Sequence, residues 1–189
     1  MLLENENCCI RIEIDRTYTV NSADNRHYDV TLNPCNYKHS DRTSTHSIHV
    51  DLFSKEYRIA LIGPETYISD CDCAVLENDT LTVLQDYSVT QINVTDGSVI
   101  RHVETDCFGC NYGIYRVDRG YVIYGEIVIT MLDFDLVKKW SFSAEDIFAS
   151  VTGKVPFELT DGMIHLYDFE DNYYEIDLDG NLIRHIPAK

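Results

Sequence analysis

The sequence has no run of 18 apolar residues, so it offers no membrane-spanning helix. It opens Met1-Leu2-Leu3-Glu4-Asn5-Glu6-Asn7, with neither a basic segment nor an apolar stretch behind it, and no secretory signal is expected. Basic residues are scarce: 15 Lys and Arg stand against 32 Asp and Glu, a formal charge of −17. That excludes binding to nucleic acid through its phosphates and disfavours anionic membranes, both of which need a basic surface. Proline and methionine are also few, at 4 and 3 in 189 residues, and there is one tryptophan. Absent too are Gly-x-Ser-x-Gly, the P-loop, the dinucleotide fingerprint and His-Glu-x-x-His, so no catalytic, cofactor-binding or metal-binding residue is assigned and no cofactor is expected.

The cysteines number seven, at 8, 9, 35, 71, 73, 107 and 110. An odd count with no export signal points to reduced thiols in an intracellular, cytoplasmic protein. Asn78-Asp79-Thr80 and Asn93-Val94-Thr95 fit the glycosylation pattern, which has no bearing in that setting.

What the chain has in quantity is tyrosine, 13 of them, and isoleucine in short alternating runs. Ile10, Ile12 and Ile14 alternate with charged residues; Tyr28 to Leu32 and Ile48 to Leu52 do the same, each a half-buried strand by its period of two. Residues 1–7 read as a frayed start and 35–45 as an exposed polar loop. Ser143 to Phe148 has a capping pattern, with Ser143 as cap and Asp146 three residues on, and predicts one helical turn.

An Asp or Asn between two apolar residues recurs at Asp51, Asn93, Asp133 and Asp177, separated by 42, 40 and 44 residues. The turn residues Asp79, Asp118 and Asp161 give the same spacing independently. A constant period of this size means one supersecondary unit used several times. Asp-Gly at 96–97, 161–162 and 179–180 predicts type I′ hairpins. The expected fold is all-β: repeated four-stranded antiparallel meanders in one domain over 1–189, with units at 8–62, 74–104, 113–142 and 156–187. One meander leaves a face unburied, so neighbours must stack, giving a small four-bladed propeller or an open propeller-like stack. Over about 46–187, the period and turn placement resemble the β-propeller repeat superfamily of the WD-type and quinoprotein-like kind. No unit ends in Trp-Asp and Trp140 is unique to its repeat, so the resemblance implies a fold and carries no catalytic residue.

Two features admit more than one reading. Cys71-x-Cys73 and Cys107-x-x-Cys110 precede the first strands of two units and would complete a Cys₄ zinc site if brought together; the plainer reading is packing of small buried side chains. The repeated Asp and Asn serve as hydrogen-bonding groups at turns, or alternatively as an acidic ring able to hold a cation. His46 and His49 fall on opposite faces of a strand, and His102 and His185, each after Ile-Arg, read as repeated surface residues. The functional expectation is a non-enzymatic acidic interaction module, of immunity or antitoxin type, for a basic protein partner. The alternatives are a ligand-binding or metal-assisted enzyme domain with its site at the propeller axis, and self-association.

Overall fold

In the computed structural model, residues 1–38, 41–66, 72–105 and 109–188 are described. The chain divides into two compact units, Met1–Thr105 and Asp106–Lys189. Each holds two of the repeats, and each is built from strands and turns alone among the described residues.

The first unit carries two sheets. One is ordered β1-β2-β4-β5-β3, from Leu2–Glu4, Cys9–Ile14, Thr43–Asp51, Glu56–Pro64 and Val30–Leu32. Its four-stranded meander is antiparallel, and β3 joins the outer edge parallel to β5, pairing Val30 with Ile59 and Leu32 with Leu61. The other is the plain meander β6 to β9, from Ala74–Glu77, Thr80–Gln85, Ser88–Asn93 and Val99–Glu104. The apolar faces of both sheets meet in one core: Ile10, Ile48, Ile59 and Leu61 pack with Leu81, Val83 and Ile92, all without solvent exposure. Each such isoleucine or leucine contributes about 1.5–3 kcal/mol on burial, which is why neither sheet stands without the other.

The second unit repeats the plan with two plain meanders. β10 to β13 are Asn111–Val117, Gly120–Gly125, Val128–Leu132 and Lys138–Ser143; β14 to β17 are Phe157–Thr160, Met163–Tyr167, Tyr173–Asp177 and Leu182–Ile186. Val122, Ile129 and Met131 from one sheet share a core with Ile164, Leu166 and Ile176 from the other.

The structure corrects four expectations. The opening residues are not frayed: β1 pairs with β2, and the Met1 ammonium donates to Ile12 O at 2.8 Å. Thr43 to Thr45 belong to β4 and not to a loop, with Thr45 buried between the flanking strands. Ser143–Phe148 forms no helical turn: Ser143 closes β13, and the next residues spend their backbone bonds elsewhere, Phe148 N on Glu126 O and Phe169 N on Ile147 O, so that the Phe148 ring is buried in the core. Only Asp161-Gly162 has positive φ at both residues, at 52° and 73°; in the other two Asp-Gly pairs the glycine alone is left-handed.

Those other turns are Asx-capped bulges. The ladder slips by one residue at Gln91/Ile92, Met131/Leu132 and Glu175/Ile176, and Gly97, Leu136 and Gly180 take the left-handed position. In the first sheet Phe53 takes it, at φ 62° with 63% of the side chain's residue exposed. A left-handed non-glycine residue stores about 1–2 kcal/mol, and here the ring recovers little of it by burial. Phe53→Gly is therefore expected to raise the unfolding free energy by roughly 0.5–1 kcal/mol after the entropic cost of glycine, measured by urea denaturation; no gain, or a loss, would show that the ring packs against something.

One hairpin recurs in both units. Ile92-Asn93-Val94 and Asp96-Gly97-Ser98-Val99-Ile100-Arg101-His102-Val103 match Ile176-Asp177-Leu178 and Asp179-Gly180-Asn181-Leu182-Ile183-Arg184-His185-Ile186, with Thr95 the one extra residue. The packing matches as well. Tyr57, from the earlier sheet of its unit, lies on Gly97 and donates to Val94 O; Trp140, from the earlier sheet of its own, lies on Gly180 and donates to Leu178 O at 2.9 Å. A Cβ on Gly180 would sit 2.8 Å from the indole ring, too close for any other residue. The lone tryptophan thus does in the second unit what a tyrosine does in the first: it staples one sheet to the third hairpin of the next.

Candidate functional site

The repeated polar residues are consumed by the turns they begin. Asp51 Oδ1 accepts Phe53 N at 2.7 Å, Asn93 Oδ1 accepts Thr95 N at 2.8 Å, and Asp133 Oδ1 accepts Asp135 N and Val137 N at 3.0 and 2.8 Å. Asp177 Oδ1 takes the N–H groups of Asp179 and Asn181, and its Oδ2 takes the Asn181 side-chain amide. These bonds hold the carboxyls of Asp133 and Asp177 below the ordinary range, the Val137 N–H foremost for the first and the Asn181 side chain for the second. The Oδ1 atoms are turned to backbone donors, the hydrogen-bonding role, and the Oδ2 atoms of Asp133 and Asp177 to the side chains of Lys139 and Asn181.

Of the four paired cysteines, Cys71 and Cys107 lie outside the described residues. Cys73 is a half-buried thiol of the first unit, with Sγ 3.7 Å from Met1 Sδ, and Cys110 is a half-buried thiol of the second.

The histidines part company. His46 is buried on the core side of β4, and Gln85 Nε2 approaches its Nδ1 at 2.7 Å while also reaching Leu61 O at 3.1 Å. Burial pushes the His46 ring down to about 4. His49 is half-buried on the opposite face, 3.3 Å from Glu56. His185 stacks on Tyr174 at 4.6 Å on exposed β17. His102, its counterpart in the first unit, differs: Nδ1 is 3.0 Å from Thr90 Oγ1 and Nε2 is 3.2 Å from Cys35 Sγ, which is itself 3.2 Å from Glu104 Oε1. The thiol, imidazole and carboxylate ligand atoms lie within 4.8 Å of one another. Burial, then the Glu104 hydrogen bond, pushes the Cys35 thiol up to about 11, and burial lowers His102 against the pull of Glu104. The sequence reading of His102 as a plain surface residue missed this trio. His102 and Glu104 carry a signal, since residues two apart share a strand face; Cys35, 67 residues away, carries none.

Beside the first sheet opens a cleft of about 370 Å³, lined by Ile14, Asp15, Tyr18, Ser44 and Glu65 among others. Burial would raise the Asp15 carboxyl, but bonds from Thr17 and Tyr28 and the Arg26 guanidinium at 3.1 Å outweigh it and hold it down. The Ser44 hydroxyl meets no partner among the described residues.

The outermost strands of the two units also differ. In the first, the segment after β3 lies over the β8–β9 ladder: Cys35 sits on His102 and Glu104, and Tyr37 OH is 3.0 Å from Tyr87 OH. His102 and Val103 are half-buried there. Among the described residues of the second unit no such segment lies over β17. Every residue of β17 is exposed, including Leu182, Ile183 and Ile186 at 49, 56 and 42%.

No family model and no curated protein matches the chain in sequence. Solved structures with a similar fold include the Pan2 WD40 domain of Neurospora crassa (14% identity, TM-score 0.47, 62% of this chain and 38% of that one). BamB from Moraxella catarrhalis matches at 9% identity and TM-score 0.45 over 78% of this chain and 48% of its own. KlHsv2 with loop 6CD replaced by a Gly-Ser linker matches at 12% and 0.49 over 81% and 52%. The chain itself is all-β, built of antiparallel meanders as its period predicts. The chain spans about half or less of the length of these proteins. No helix among the described residues is long and apolar enough to cross a membrane.

Proposed function

We propose that this protein is a non-enzymatic binding module that presents β17 of its second unit to a basic protein partner, masking it as an immunity or antitoxin protein would. The observation that carries the reading is the outer strand of the second unit: every residue of β17 is exposed, whereas in the matching β9 His102 and Val103 are half-buried under a segment of its own chain while Val99 and Ile100 stay exposed. An edge strand with open N–H and C=O groups and three exposed aliphatic side chains is a template for strand addition. Charge names the occupant. Residues 1–105 hold 17 acidic and 8 basic side chains, a net of −9, and residues 106–189 hold 15 and 7, a net of −8. Both units are anionic, so a cationic partner is drawn to either and a second copy of this chain is repelled.

The test is a photo-crosslinking residue at position 183 in the native cell, followed by purification of the crosslinked pair. The expected product is one basic protein, whose association weakens at least tenfold between 0.1 M and 1 M salt, where the screening length falls from about 10 Å to about 3 Å. Ile183→Asp abolishes it. A neutral or acidic partner, a crosslink to a second copy, or binding indifferent to salt overturns the reading. The absence of any crosslink at 183 moves the weight to the alternative, a ligand-binding domain, which the cleft with its unpartnered Ser44 hydroxyl supports.

A further inference from the structure

We infer that Cys35, His102 and Glu104 form a binding site for one divalent d-block cation of the zinc type, with Thr90 orienting the imidazole. The three donors come from two places in the first unit. His102 and Glu104 project from the same face of β9, and Cys35 is delivered by the segment after β3. The Sγ to Nε2 distance is 3.2 Å, and Sγ to the Glu104 carboxylate is also 3.2 Å. In a tetrahedral zinc site, with Zn–S near 2.3 Å and Zn–N near 2.0 Å, the donors stand about 3.5 Å apart. The observed spacing needs an opening of a few tenths of an ångström to admit the ion. Thiolate, imidazole and carboxylate together suit a borderline-soft cation, and three protein ligands leave the fourth position for water or an incoming ligand.

Two features separate this from chance proximity. The first is the other nitrogen of His102. Its Nδ1 lies 3.0 Å from Thr90 Oγ1, a buried hydroxyl, which fixes the ring with Nε2 facing the thiol. Metal-bound imidazoles are oriented in this way by a partner on the far nitrogen. The second is the internal comparison. In the second unit the same strand position is His185, but Thr90 is replaced by Tyr174, on which the ring stacks, Glu104 by Pro187, and among the described residues no segment brings a thiol. Among those residues only the unit with the covering segment has the complete ligand set, and there all three changes fall around one point.

A cysteine nucleophile activated by histidine is the rival use of these residues, and the geometry opposes it. Such a nucleophile needs a base oriented by a third group and a sulfur free to take the thiolate form. Here the Glu104 carboxylate lies 3.2 Å from the sulfur itself, an anion where the thiolate nucleophile would have to form. A divalent cation relieves that arrangement, since it displaces the thiol proton and is neutralised by the two anions it then contacts.

The experiment titrates Co²⁺ into the full chain, prepared reduced and with chelator removed. A thiolate-to-cobalt charge-transfer band is expected, saturating at one ion per chain and abolished by stoichiometric Zn²⁺. The band persists when Cys71, Cys73, Cys107 and Cys110 are all serine, and it is lost in Cys35→Ser. Glu104→Gln, at an exposed position, carries the same test should Cys35→Ser fold poorly, and weakens binding at least tenfold. Thr90→Val weakens it by about 10- to 100-fold while leaving the band's position unchanged, because the ligands remain. A band that survives Cys35→Ser and vanishes with the four serines, or no band in the intact chain, overturns the inference.

Discussion

Gly120→Ala is expected to remove more than about 3 kcal/mol of unfolding free energy, the largest effect of any single methyl in the chain. Gly120 opens β11 at φ 145°, a conformation that side chains rarely adopt, and a Cβ there would stand 2.0 Å from Leu132 O and 2.7 Å from Asp133 Cα. Both are backbone atoms of the neighbouring strand and of its Asx turn, so nothing at the far end of a flexible side chain can yield. The cost falls on the ladder between β11 and β12, whose Val122, Ile129 and Met131 anchor the core of the second unit. Gly162→Ala is the control. Its φ of 73° is equally left-handed, but a Cβ there meets nothing within 4 Å, and the loss is expected to be only about 1–2 kcal/mol. Denaturant unfolding of the two variants checks the pair. Equal losses would mean that strain at φ, and not the close approach to Leu132, is what reserves position 120 for glycine.

The second large effect is a fall in stability of about 2 kcal/mol between pH 7 and pH 5, traced to His46. The unfolded imidazole titrates near 6.5, whereas in the folded chain burial, helped by the Met1 ammonium, lowers it to about 4. A group whose folded pKa is depressed below its unfolded value binds protons more readily when unfolded. The stability it protects is complete above 6.5, falls through the window from 6.5 to 4, and is fully lost below. The Gln85 amide donates to Nδ1, so the ring's proton is on Nε2, and a second proton would have to displace that bond. The carboxylates held low by their turns, Asp133 and Asp177, lose their contribution only below about 4, outside this window. Urea midpoints at pH 7, 6 and 5 should decline for the native chain and decline less for His46→Asn, in which the lowered His102 is the imidazole that remains. A parallel decline in both would place the titrating group elsewhere.

What was legible in the sequence followed from period and spacing. Asp51, Asn93, Asp133 and Asp177 could be found because each must sit between an inward-facing apolar residue and a tight turn, and that demand recurs once per sheet. Alternation located β2, β3 and β4, yet alternation says which residues share a face and not which strand lies alongside. The parallel pairing of β3 with β5 was therefore invisible. So was β1: Leu2-Leu3-Glu4 is too short to alternate, and it is a strand because the edge of β2 is there to receive it. The capping pattern at Ser143 lost to the burial of Phe148, a tertiary contact worth about 3 kcal/mol against a cap worth about 1. The metal trio depends on a segment folding back over β9, and no local pattern encodes that return. The recurring hairpin was half visible, in the shared Ile-Arg-His; the partial cover over His102 and Val103, against a β17 exposed throughout, needed the coordinates.

The functional account rests on β17 being an open edge. Amide hydrogen exchange resolved by residue in the free chain measures this directly. In an antiparallel ladder an edge strand turns alternate N–H groups away from its neighbour. The account predicts that alternate amides across Leu182–Ile186 exchange at rates near those of unstructured peptide, while Tyr173–Asp177 and Met163–Tyr167, paired on both sides, are protected by several orders of magnitude. Uniform protection along Leu182–Ile186, equal to that of β16, would show that the edge is already covered and would contradict the account.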